Sequence, residues 1–235
     1  TAPLRPRPPG HALARRDLTV NALALDPSGT LLDPWGGRED LAAGRLRFTG
    51  SGEARLREDP LRALRLARFA AQLSGFAPTP EAIRSCRTLS TSLSSLPSCR
   101  RGGELWRALA SRPEVFLRWI RAFRLEDPYP GLLPRSLPPL PRLRRACPRT
   151  PDPVVRLAAL LEDLHPRGLP APTDLLLPLG FPREASRTLL RLLALPGGPP
   201  PDPPETRRGL RAAPPEAPRP WLATADWGQY ALCRP

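Results

Sequence analysis

In the run EDPLRALRLAR, two carboxylates, Glu58 and Asp59, precede arginines at positions 62, 65 and 68. A carboxylate accepts hydrogen bonds and a guanidinium fork donates two in parallel, so this group could hold something flat, polar and phosphorylated. Three residues of α-helix turn through about 300°, so Arg62, Arg65 and Arg68 drift slowly around one face of a helix starting at Asp59. Leu61, Leu64, Phe69 and Leu73 fall on the other side and are expected to face a core. A plainer role fits the same residues: Asp59 caps the helix, Glu58 pairs with Arg62, and the arginines lie in water. The cap would contribute about 0.5–2 kcal/mol and each pair a few tenths. Spacing alone leaves both readings open.

Composition narrows the partners. The chain has 235 residues, enough for one or two domains with a real core. No lysine occurs, so all 36 Lys-or-Arg positions are arginine, and the net charge is +14. That surplus favours a polyanion, nucleic acid before an anionic membrane. Cys86, Cys99, Cys147 and Cys233 show no CxxC spacing, and His11 and His165 are the only histidines, so neither a zinc site nor a disulfide framework is expected. No apolar run is long enough to cross a bilayer, and a reducing, cytoplasmic setting is the expectation. Methionine is absent and TAPLRPRPPG lacks the apolar core of a signal peptide, so the natural N-terminus is expected to lie further upstream.

The elements that must carry these residues can be read in outline. Residues 18–32 read as strand, turn, strand, with Asp26-Pro27-Ser28-Gly29 supplying the turn. Leu18, Val20, Ala22 and Ala24 would share one face and Leu23 and Leu25 the other. Both faces are apolar, so the hairpin is expected to lie inside a larger sheet whose other strands lie upstream. Beyond residue 59 the signals are helical. Asp59-Pro60, Thr79-Pro80 and Asp152-Pro153 each pair a capping residue with a first-turn proline, and Ser111 to Glu114 reads as a capping box. Further helices are expected at 153–164 and 182–195. Proline-rich residues 128–153 and 196–220 read as extended or disordered linkers.

Upstream of the arginines stands RRDLTVNALALDPSGTLLDPWGGREDL. With EDPLRALRLARFAAQL, it resembles the family of tRNA nucleotidyltransferases (CCA-adding enzymes) and bacterial poly(A) polymerases. Residues 15–24 match the family's RRDFTINALA-like motif, Asp33 to Gly37 its D-P-x-x-G segment, and Glu58, Asp59 and Arg62 its EDxxR motif. The likeness runs over roughly residues 11–125. A weaker match follows: SLPSCRRGGELWRAL keeps Arg100 and Glu104 of the family's S-x-E-R-x-x-x-E-L segment but has Cys99 in place of its glutamate. In VVRLAALLEDLHP, Glu162 stands where some relatives with a phosphohydrolase module have histidine, so an ordinary packed helix is expected there.

The resemblance implies a mainly α fold, in which a remnant β-hairpin of a nucleotidyltransferase head domain leads into a helical neck and body. It divides the chain into a head remnant (1–55), a neck that binds nucleobase and RNA (56–127), a proline-rich linker (128–153), a helical body (154–195) and a proline-rich tail (196–235). It implies addition of CMP or AMP, from CTP and ATP, to the 3′ end of tRNA. Asp59 and Arg62 would act as a protein template for the incoming base, with Arg65 and Arg68 as further nucleotide contacts. Arg16 and Asp17 would meet phosphate and ribose, with Asn21 in the same motif. The family holds Mg²⁺ on a D-x-D pair and has a glycine-rich G-G-x-V-R-D segment, and neither pattern occurs in this sequence. Asp33 and Asp40 match other family positions, so no residue here is expected to be catalytic or to bind metal. The chain by itself is then expected to be inactive, within an enzyme when complete. Poly(A) polymerase and a non-catalytic RNA-binding remnant are the alternatives.

Overall fold

A computed structural model describes residues 13–88, 93, 96–125, 129, 132–133, 137–165, 179, 181 and 183–193. The chain divides into two compact units, Thr1–Leu96 with Val115–Asp127 and Pro97–Glu114 with Pro128–Pro235. The described residues are mainly helical, as the sequence implies.

In the first unit the expected turn forms. Asp26 Oδ1 accepts the Ser28 and Thr30 N–H groups at 2.8 and 2.9 Å, and Gly29 takes φ +85°. The turn joins β1 (Ala24–Leu25) to β2 (Leu31–Leu32), antiparallel, with Ala24 opposite Leu32 and Leu25 opposite Leu31. The first strand is shorter than expected, because Thr19–Asn21 wind into a 3₁₀ turn. The cause is local competition: the Leu18 N–H donates to the side chains of both Asp17 (3.1 Å) and Asn21 (3.3 Å). The proposed two-faced alternation is therefore lost. Leu18 and Ala22 are buried, whereas Leu25 is 70% exposed. Among the described residues the hairpin is a two-stranded pair.

After the hairpin come α1 (Gly37–Ala42), β3 (Arg45–Leu46), α2 (Gly52–Glu58) and α3 (Leu61–Gln72). Then β4 (Ala77–Pro78) pairs in parallel with β3, and α4 (Pro80–Thr88) follows. Gly37 lets α1 press onto the 3₁₀ turn: a Cβ there would lie 2.2 Å from the Thr19 carbonyl oxygen. Thr79 caps α4 as expected, accepting the Ala82 N–H at 3.3 Å. The core lies around α3, where Leu61, Leu64, Leu66, Ala67 and Ala70 are all buried.

The second unit holds α5 (Ser98–Leu109). Next in the chain is α6 (Pro113–Ala122), which from Val115 onward belongs to the first unit. The Ser111 hydroxyl donates back to the Ala108 carbonyl at 3.1 Å, so it does not make the expected capping box. Two expected helices are present as α8 (Pro153–Leu164), capped by Asp152 through the Val154 N–H at 2.8 Å, and α9 (Arg183–Leu193). The stretch expected as an extended linker departs from that reading, because Pro141–Ala146 form α7. Leu143 and Ala146 are buried, and the Asp163 carboxylate of α8 accepts the N–H groups of Arg142 and Leu143, both at 3.0 Å. Proline at the helix start loses nothing there, and burial supplies what proline content alone does not reveal. The tail at 196–235 lies outside the described residues.

Candidate nucleotide site

The junction of α2 and α3 falls at Asp59-Pro60. Asp59 is extended (φ −152°, ψ 100°), and its Oδ1 accepts the Leu61 N–H at 3.2 Å. It therefore does serve as the cap, while remaining half-buried between two helices. Glu58 ends α2 rather than starting α3. Its two oxygens each hold an arginine, Oε1 taking Arg55 Nη2 at 2.8 Å and Oε2 taking Arg62 Nη1 at 2.7 Å. Arg62 also donates to the carbonyls of Arg55 (3.0 Å) and Arg15 (3.4 Å). Ala14, Arg15, Arg55, Glu58 and Arg62 line an open cleft. Three guanidinium groups against one carboxylate leave the opening net positive, suited to an anion.

Behind the cleft Asp17 is a buried hub, 5% exposed. Oδ1 accepts the Leu18 N–H and Asn21 Nδ2, the latter at 2.7 Å, and Oδ2 lies 2.5 Å from Arg65 Nε. Arg16, next in the chain, is exposed, and its carbonyl accepts the Thr49 hydroxyl at 2.6 Å. Arg68 does not join this group. It is 8% exposed, its guanidinium lies 4.3 Å over the Phe69 ring, and Nη1 donates to Gln72 Oε1. Of the residues singled out in the sequence, the structure thus gathers Arg62 at the cleft and Asp17, Asn21 and Arg65 behind it. Arg15 and Arg55 were missed. The signal for Arg55 was present as Arg55 and Glu58 three apart, a spacing at which helix side chains meet, whereas Arg15 has no such local signal.

The nearby carboxylates are committed elsewhere. Asp40 is fully buried and accepts Thr19 Oγ1 (2.6 Å), Arg45 Nε (2.9 Å) and Arg47 Nε (3.0 Å). Asp33 takes the N–H groups of Gly37 (2.6 Å) and Arg38 (3.0 Å) at the start of α1. Desolvation pushes the Asp33 carboxyl up, but the Arg38, Gly37, Trp35 and Gly36 N–H groups outweigh it and hold the carboxyl below its ordinary range. Among the described residues no three His, Cys, Asp or Glu side chains are grouped to hold a metal. These carboxylates do not fit a divalent-cation site. Burial also pushes the Cys86 thiol up, which makes it a poor nucleophile.

Residues 10–47 match the model of the poly A polymerase head domain. The chain is similar to the multifunctional CCA protein of Leptothrix cholodnii, 46% identical over 134 residues covering 56% of this chain and 30% of that protein. It is similar also to the multifunctional CCA protein of Hahella chejuensis, 37% identical over 173 residues, 65% of this chain and 40% of that one. The chain thus spans well under half the length of these curated relatives. Among solved structures, a tRNA-processing enzyme with CTP is 26% identical with a TM-score of 0.64, over 80% of this chain and 55% of that one. The Bacillus stearothermophilus CCA-adding enzyme in complex with CTP shares the fold, with a TM-score of 0.64 at 24% identity, over 97% of this chain and 60% of that one. No helix among the described residues is long and apolar enough to cross a membrane. Motif order, local fold and relatives agree in likening the chain to tRNA nucleotidyltransferases and bacterial poly(A) polymerases.

Proposed function

We propose that the full-length protein adds cytidylate and adenylate, from CTP and ATP, to the 3′ end of tRNA, and that Asp59 and Arg62 select the base. The observation that carries this reading is the arrangement of Arg62. Glu58 and two backbone carbonyls hold its guanidinium at the mouth of a basic cleft, so binding a nucleotide need not order it. Its Nε–H and one Nη2–H are not spent on those acceptors and can donate to a ring acceptor. Asp59, three residues earlier in the chain, presents a carboxylate that accepts from the exocyclic amino group of cytosine or adenine. Uracil and guanine offer a carbonyl oxygen instead, which the carboxylate repels. Exposed arginines of the helical region would hold the RNA through its phosphates. Mg²⁺ belongs to the proposal as a cofactor held by carboxylates other than those described above, and a cytoplasmic setting belongs with the tRNA substrate.

Asp59→Ala and Asp59→Ser in the full-length protein separate base selection from capping. Serine retains a cap acceptor but not the carboxylate. Both variants should lose preference for CTP and ATP over UTP and GTP by roughly tenfold to a hundredfold, the equivalent of about 1–3 kcal/mol for a paired base contact. Binding of tRNA should change little. If the serine variant keeps its preference and only the alanine variant is less stable to heat, Asp59 is a cap and nothing more.

A further inference from the structure

The cleft has two walls from distant parts of the chain. Ala14 and Arg15 supply one, and the α2–α3 junction supplies Arg55, Glu58 and Arg62. At the rim, two hydrogen bonds cross between them: Arg55 Nη1 donates to the Ala14 carbonyl at 2.8 Å and Arg62 Nη2 to the Arg15 carbonyl at 3.4 Å. Deeper in, a third link joins the same two segments, the ion pair of Arg65 Nε on α3 with Asp17 Oδ2 at 2.5 Å. Both of these atoms are sealed from solvent, and among the described residues neither has another hydrogen-bonding partner. The contact is ionic rather than a well-aligned hydrogen bond, yet among the described residues it is the only interaction that engages that carboxylate oxygen.

We infer that Arg65 is a positioning residue: it sets the separation of the cleft walls through Asp17 rather than by touching the nucleotide. Asp17 is suited to receive that constraint. Its other oxygen is fixed by Asn21 and by the Leu18 N–H, and its carbonyl accepts the Thr49 N–H at 3.1 Å. A pull on the carboxylate is therefore a pull on the backbone that carries Arg15 and Arg16. The Arg65 side chain is 38% exposed, but the two paired atoms are themselves sealed from solvent, so water cannot readily take the place of either partner. The inference rests on the nucleotide reading of the cleft given above.

The test is a double-mutant cycle in the full-length protein, with Asp17→Asn, Arg65→Gln and the double variant, read by equilibrium dissociation constants for CTP and ATP. Each single variant should weaken both nucleotides by about tenfold, and the double variant should be no weaker than the worse single one, as coupled contact pairs behave. Arg65→Lys, which keeps the charge, should recover part of the loss. The Arg65 Nε–H resonance should be protected from exchange in the wild type and lose that protection in Asp17→Asn. Multiplicative losses in the double variant, or Arg65→Gln weakening binding while Asp17→Asn does not, would make Arg65 a direct contact and overturn the inference. If the wild type binds neither nucleotide, the functional reading fails and this inference with it. Wild-type binding without coupling defeats the inference alone.

Discussion

Asp40→Ala should destabilise the first unit by about 3 kcal/mol, the low end for removing one partner of a buried charge pair. The carboxylate is wholly buried and ties three residues of the first unit together. Thr19 of the 3₁₀ turn, Arg45 of β3 and Arg47 beyond it all donate to its two oxygens. Arg47 in turn holds the Trp35 carbonyl at 2.8 Å, and its own carbonyl accepts the Thr19 N–H at 3.0 Å. The low end applies because the two arginine side chains are 45% and 39% exposed and can regain water once Asp40 is gone. Thr19, fully buried, cannot. Chemical denaturation of the full-length protein checks this, with Asp40→Asn expected to cost less because it keeps one acceptor. An alanine variant within about 0.5 kcal/mol of wild type, the range of ordinary surface changes, would contradict the assignment.

The larger effect is expected in the second unit at Arg156. This arginine is 6% exposed inside the apolar run of α8, and it donates to four backbone carbonyls. Leu109 and Ser111 lie at the end of α5, at 2.8 and 2.7 Å, while Cys147 and Thr150 follow α7, both at 2.7 Å. The carbonyls that end a helix lack intrahelical partners and carry its negative dipole, so one guanidinium closes two helices at once. Methionine would fill much of the volume and satisfy none of these acceptors. Each stranded carbonyl costs about 1–3 kcal/mol, so Arg156→Met should lose on the order of 4 kcal/mol or more and abolish cooperative unfolding of this unit. Arg156→Lys should fall between, since its donors radiate from a single nitrogen. Unfolding followed by circular dichroism reads all three proteins. A methionine variant that melts like wild type would show that water or repacking supplies the missing donors.

The sequence made some of this legible for definite reasons. Asp152-Pro153 and Thr79-Pro80 announced their helices because capping is a local interaction, decided within four residues. The hairpin turn was legible for the same reason. Its first strand was misread because alternating apolar residues were weighed without the side chains of Asp17 and Asn21, which capture the backbone N–H that a strand would need. Helix α2 went unseen although Ser51 sits at its start and accepts the Ala54 N–H at 3.4 Å. With it went the true role of Glu58, a clamp for two arginines from the end of one helix. Arg68 shows the opposite limit. Helical spacing put it in line with Arg62 and Arg65, but α3 is buried nearly all round, and only tertiary packing tells which arginine stays in reach of the cleft. Arg156 went unremarked, although a lone charge in VVRLAALL is a pattern that signals a buried and fully satisfied donor.

The proposed function depends on one property: that a carboxylate and a neighbouring guanidinium at the α2–α3 junction choose among bases at the growing end of an RNA. The direct measurement supplies the full-length protein with all four nucleoside triphosphates and a tRNA that lacks its terminal CCA, and sequences the products. The expected product gains only cytidylate and adenylate and stops at the terminal adenosine. Long adenylate tails, or equal incorporation of uridylate and guanylate, would contradict it.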